Sequence, residues 1–142
     1  MNLLAGSSDP AFGFANFSPG NYDNVEFKLS PVLPGGKTIL IRFIHAQTQF
    51  ELSTTREFEL EVEGLSGLDL TDAGRAVNLL VLLDLDRLFA GITFDALVPD
   101  NDGVVRINDD ANSGLLESIL NNLDDACEAG EDRDKDGEID KD

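Results

Sequence analysis

Glu57-Phe58-Glu59-Leu60-Glu61-Val62-Glu63 is the stretch that decides the fold class. Acidic and apolar side chains alternate at every step, the period of a β-strand with one buried and one wet face. Phe58, Leu60 and Val62 are predicted to face a core, and Glu57, Glu59, Glu61 and Glu63 to face solvent. A row of glutamates on the outer face solvates the strand and guards it against edge-to-edge pairing with another chain.

The segments before it read the same way. Phe50 to Thr54 is a strand, and Gln47-Thr48 is the expected turn ahead of it. Thr38 to Ala46 is dense in β-branched and aromatic residues, which predicts a central strand. From Tyr22 to Leu29, Val25, Phe27 and Leu29 alternate with Asn24, Glu26 and Lys28, a half-buried strand that Pro31, Pro34, Gly35 and Gly36 break. Residues 1–20 are loop-like in composition yet carry Phe12, Phe14 and Phe17, which predicts a short extended segment with rings to bury.

After the glutamate strand, Gly64 to Gly74 reads as a long loop. Ala76 to Asp84 is a continuous apolar run that suits a strand buried on both faces, with Leu80 and Leu82 in the core. Asp84 is placed to cap one helical turn through Phe89, which Gly91 ends. Val104 to Ile107 is a short strand. A helix is predicted from about Gly114 to Ala129, capped by Asn112 or Ser113 and stopped by Gly130. Leu115, Leu116, Ile119, Leu120, Leu123, Ala126 and Cys127 recur along it at steps of three and four. Cys127 on that stripe reads as a buried, inert thiol. The expected fold is mainly β: an antiparallel β-sandwich with a C-terminal amphipathic helix and an acidic ion-binding tail. The expected organisation is an N-terminal extended segment over 1–20, the sandwich with its closing helix over 21–130, and the acidic tail over 131–142.

The chain has 142 residues, a length that fits one domain able to bury a core without disulfides. Its 28 acids stand against 10 bases, a net charge of −18 that excludes a basic nucleic-acid footprint and disfavours anionic membranes. Cys127 is the single cysteine, so no internal disulfide framework exists. No run of apolar residues is long enough to span a bilayer, and Met1 to Ser7 lacks the basic start and apolar core of a signal peptide.

The sharpest motif is Asp132-Arg133-Asp134-Lys135-Asp136-Gly137-Glu138-Ile139-Asp140. Calcium is a hard cation that takes about six to eight oxygen ligands, and D-x-D-x-D-G-x-x-D supplies them from one short loop. Asp132, Asp134 and Asp136 fall at positions 1, 3 and 5, Gly137 permits the turn at 6, Glu138 offers its carbonyl at 7, and Asp140 lies at 9. Ile139 is the apolar anchor between them. The loop resembles those of EF-hands, dockerins and thrombospondin-type calcium repeats. Position 12, where an EF-hand carries a bidentate acid, falls past Asp142, which predicts a weaker site unless Asp142 or a neighbouring chain completes it. Asp100-Asn101-Asp102-Gly103 is a second acidic glycine turn, read first as ordinary turn chemistry and second as another calcium site.

Ser18-Pro19-Gly20-Asn21-Tyr22-Asp23-Asn24-Val25 resembles the P-G-x-Y-x-x-V approach to a strand in a family of bacterial surface-lipoprotein β-sandwich domains of unknown function. The order that follows is also similar: a hydrophobic strand, a hairpin around Phe50, then Leu80 to Phe89. So is the close, Ile107-Asn108-Asp109-Asp110-Ala111-Asn112 before a helix and an acidic tail. The resemblance covers roughly residues 15–140 and implies an exported, envelope-associated β-sandwich, with no activity attached.

Catalysis has little support. His45 is the only histidine and lies within a strand, and no P-loop, dinucleotide fingerprint, zinc spacing or nucleophile elbow occurs. The expected function is a non-enzymatic, calcium-stabilised extracellular or cell-envelope domain with a structural or binding role. The alternative is a structural subunit that polymerises into extracellular filaments by β-strand addition of its N-terminal segment, its partner being a further copy of itself.

Overall fold

The computed structural model describes residues 18–69, 77–132 and 139–140, with backbone alone at 25 and 62–69. The described residues are mainly β. In chain order they form β1 (Asn21–Leu29), β2 (Ile39–His45), β3 (Thr48–Thr54), β4 (Phe58–Asp69), β5 (Leu79–Leu83), α1 (Leu85–Leu88), β6 (Val104–Ile107), α2 (Ser113–Leu120), α3 (Leu123–Ala126) and β7 (Cys127–Glu131). β1 pairs with β4, β5 pairs with β7, and β2, β3 and β6 form a three-stranded sheet in that order. The chain divides into two compact units. The larger comprises Glu26–Val62 and Leu83–Glu128, and the other takes in the chain up to Val25, Glu63–Leu82 and the chain from Ala129 onward.

In the larger unit, β2 and β3 form an antiparallel hairpin with Phe43 opposite Phe50 and Ile41 opposite Leu52. β6 joins β3 in parallel, which corrects the expected all-antiparallel pairing: the long chain between Thr54 and Val104 supplies the crossover that a parallel pair needs. This pairing places Val105 beside Phe50 and Ile107 beside Leu52. Because successive side chains alternate across a strand, Ile41, Phe43, Phe50, Leu52, Val105 and Ile107 share one face, and Arg42, Glu51 and Arg106 share the other. The apolar face builds the core together with Leu88, Leu116, Ile119, Leu123 and Ala126 from the three helices. Phe43 stacks on Phe50 with centroids 5.0 Å apart, Phe89 lies tilted against Phe43, and Phe94 meets Phe43, Phe50 and Phe89 edge-on. In the other unit, Tyr22, Val77, Leu79 and Ala129 are half-buried apolar groups.

The glutamate strand is oriented as its alternation predicts. Leu60 is buried and Phe58 half-buried, whereas Glu57, Glu59 and Glu61 are exposed; the side chains of Val62 and Glu63 lie outside the described residues. Asp84 caps α1, accepting the N–H of Asp86 at 2.9 Å and that of Arg87 at 3.1 Å.

Four further readings of the sequence need correction. The hairpin turns at Ala46 and Gln47, with φ of 47° and 69°, so β3 already begins at Thr48. A two-residue connection needs left-handed backbone at both positions, and strand pairing holds it there without glycine. β4 runs on to Asp69, through Gly64 and Gly67, where a glycine-rich loop is expected; strand propensity is weak and tertiary context overrides it. Leu80 and Leu82 are half-buried, since β5 belongs to a two-stranded sheet.

The fourth correction concerns the closing helix. It is two short helices, and Cys127–Glu131 is strand β7, with Gly130 inside it. Asn122 sits at the break and donates its side-chain amide to the carbonyls of Leu88 and Ala90, at 3.0 and 3.1 Å. The carbonyl of Ala126 accepts the N–H of Asp84 at 2.8 Å. These bonds between distant segments replace those that one continuous helix would make to itself.

Candidate metal centre

β7 carries the chain into the first candidate ligand. The N–H of Asp132 donates to the carbonyl of Asn78, just ahead of β5, at 2.9 Å. Asp132 is only 8% exposed. The chain returns at Asp140, whose N–H donates to the carbonyl of Glu131 at 2.9 Å. Ile139 lies against Gly130 so closely that a Cβ on that residue would overlap its branched carbons. Gly130 therefore has a packing role: it admits the anchor at position 8 of the loop. Positions 1 and 9 of the D-x-D-x-D-G-x-x-D motif are thus brought to neighbouring places on one strand end.

Of the predicted ligands, Asp132 and Asp140 are placed in this way, and Asp140 is half-buried. Asp134, Asp136 and Glu138 lie outside the described residues. Among the described residues no group of three or more His, Cys, Asp or Glu is arranged to hold a metal ion.

The second acidic turn is occupied by a side chain. Arg106 donates to Asp100 at 2.6 Å and pairs through both of its terminal nitrogens with Asp102. The Arg106 guanidinium, with help from the N–H of Val104, holds the Asp102 carboxyl down at about 2. Gly103, at φ 82°, turns the chain so that Asp100 and Val104 close a backbone bond of 2.9 Å. These carboxylates serve β6, and a cation would have to displace Arg106 to use them.

Two polar clusters went unseen in the sequence. Asp109, in the turn after β6, accepts the N–H of Thr55 at 3.1 Å, the hydroxyl of Thr54 at 3.2 Å and Nε of Arg56 at 2.9 Å. Arg56 also reaches Glu117 on α2 at 2.6 Å. The partners lie 53 and 61 residues from Arg56 in the chain, and no local pattern announces them. On the outer face of the sheet, Glu51 accepts from Arg42 at 2.8 Å and Lys37 at 3.0 Å. Hydrogen bonds from Arg42 first and Lys37 second keep its carboxyl below the usual glutamate range.

His45 ends β2 at the rim of the aromatic cluster, its ring 5.6 Å from that of Phe94, with Nε2 3.4 Å from Asp95 Oδ1. The imidazole is held by a carboxylate and packed on aromatic rings, an ordinary way to satisfy a strand histidine.

Cys127 is half-buried, and burial first, then Asp124, pushes its thiol up to about 11. Since the thiolate is the reactive species, alkylation at pH 8 is expected to run about two orders of magnitude slower than for free cysteine, whose pKa is about 8.5. Stopped-flow or mass-spectrometric labelling measures this directly, and labelling at the free-cysteine rate would show that the thiol is open to solvent.

No family model, no curated protein and no solved structure matches the chain.

Proposed function

We propose that this chain is a non-enzymatic, calcium-stabilised β-sandwich domain of the extracellular space or cell envelope, closed by its C-terminal helical segment and serving a structural or binding role. The observation that carries the reading is the Asp132–Asp140 motif, whose two ends meet through the Asp140–Glu131 backbone bond and the Ile139–Gly130 contact. A loop tied at both ends bears part of the ordering cost before an ion arrives. Asp132, Asp134, Asp136 and Asp140 would supply carboxylate oxygens and Glu138 its backbone carbonyl. The acidic surface, at −18 overall, suits saline surroundings, where screening relieves self-repulsion.

A thermal melt with added metal tests this. Calcium in the millimolar range is expected to raise the Tm by several degrees, following the linkage relation for a ligand that binds only the folded state. Magnesium should do much less, because it holds its water and needs stricter octahedral geometry. Asp134→Ala and Asp136→Ala should abolish the calcium shift and leave the far-UV spectrum unchanged. A melt indifferent to calcium overturns the reading.

A further inference from the structure

Strand β2 ends its sheet: in the order β2-β3-β6 it is bonded to β3 on one side only among the described residues. Its sequence, Ile39-Leu40-Ile41-Arg42-Phe43-Ile44-His45, is strongly β-forming and carries no proline, lysine or acid. Natural edges are blunted by such residues, by shortness or by a cover. β6 shows that protection at the opposite edge, being 4 residues long with the Arg106 carbonyl taken by the Asn112 amide at 2.6 Å. β1 carries Asp23, Glu26 and Lys28, β4 carries Glu59, Glu61 and Glu63 at alternate positions, and β5 is half-buried throughout.

The direction of the free groups follows from the hairpin. A two-residue connection makes His45 and Thr48 its closing hydrogen-bonded pair. Bonded and non-bonded pairs then alternate, so Leu40, Arg42 and Ile44 turn their N–H and C=O away from β3. Ile44 is 72% exposed, a large apolar side chain standing in water on that edge.

We infer that the β2 edge accepts the segment Ala11-Phe12-Gly13-Phe14-Ala15-Asn16-Phe17 of a second copy as an added strand. Three features favour this occupant. The segment matches the 7 residues of β2 in length. Asp9 is the only charged side chain in residues 1–17, so the segment approaches without the repulsion that two bodies of −18 exert through their other surfaces. Its alternation also fits. Phe12 and Phe14 fall on one face and extend the aromatic row of Phe43 and Phe50, while Ala11, Gly13, Ala15 and Phe17 fall on the face of Arg42 and the exposed Ile44. Main-chain bonds supply the affinity and alternate side chains the register, the mode of β-strand addition. Each copy then offers one donor and one acceptor, a head-to-tail contact that builds open chains when it does not close into a ring.

The test uses the full chain in light scattering coupled to size exclusion, across a hundredfold range of concentration, with and without calcium. The full chain is expected to associate as concentration rises. Deleting residues 1–17 removes the donor, and Ile44→Pro removes an outward N–H at an edge where proline is tolerated; each variant alone should be monomeric with an unchanged far-UV spectrum. Mixed, the Ile44→Pro variant and the deletion variant should form a one-to-one heterodimer, because one keeps the donor and the other the edge. A full chain that stays monomeric overturns the inference. So does a deletion that lowers the Tm without changing the mass, which would place the segment on its own chain. Association that survives Ile44→Pro would place the acceptor elsewhere.

Discussion

Leu116→Ala should destabilise the larger unit by about 2–5 kcal/mol, the range for emptying a fully buried leucine site. Leu116 is 0% exposed on α2, alongside Ile119, and α2 packs on β6, where Val105 and Ile107 are also at 0%. Truncation loses the transfer free energy of the deleted carbons, about 0.8 kcal/mol each. A cavity term adds to that, because a sheet on one side and helices on the other cannot collapse into the gap. Against a total stability of about 5–15 kcal/mol, the loss is a large fraction. Urea unfolding measures it as a lower midpoint at constant slope. Val98→Ala, at a side chain 80% exposed, serves as the control and should stay within about 0.5 kcal/mol of the parent. Equal effects of the two substitutions would mean that α2 does not bury the Leu116 face.

Asp109→Ala should cost about 2 kcal/mol, and its effect should depend on pH. The carboxylate holds the end of β3 to the turn after β6, and Thr54, only 1% exposed, relies on it for its hydroxyl bond. Removing the acceptor leaves the Thr54 hydroxyl with only the bond it accepts from the N–H of Arg56, a loss of about 1–3 kcal/mol, and frees Arg56 from one of its two side-chain partners. Burial pushes the Asp109 carboxyl up, but the Thr55 N–H, the Thr54 hydroxyl and Arg56 together outweigh it, and the net shift is downward. A folded-state value below the unfolded one, about 3.9, means that the stabilisation is present above that pH and is lost as pH falls through the folded value. Glu51 has the same sign, through Arg42 and Lys37. Stability should therefore fall below about pH 4, and Asp109→Asn, which keeps an acceptor but not the charge, should fall less steeply there. Parallel acid limbs for the parent and Asp109→Asn would show that Asp109 contributes no proton-linked stability. Glu117→Gln, at an exposed pair, should cost no more than about 1 kcal/mol.

The sequence by itself determined whatever is written in neighbouring residues. Alternation in Glu57 to Glu63 assigns which side of β4 is wet, because side-chain direction in a strand has a period of two. The β-branched run before the hairpin marks β2, and an Asp ahead of a short apolar turn marks the cap of α1, since a side chain there reaches the first free N–H groups. The order of carboxylates in Asp132 to Asp140 is likewise local, so the candidate calcium ligands were legible without a fold. Their environment was not. Only the tertiary structure packs Ile139 on Gly130 and sets the Asp132 N–H on Asn78. It also decided that β6 runs parallel beside β3, that Asp109 and Glu117 converge on Arg56, and that Arg106 fills the second acidic turn. The helical period from Gly114 carried no sign of its interruption at Asn122, because the Leu88 and Ala90 carbonyls that bind that amide lie 34 and 32 residues away. Periodicity reports which face of a segment prefers to be dry; which segment will cover it depends on pairings whose loop-closure entropy is met only when the whole core forms.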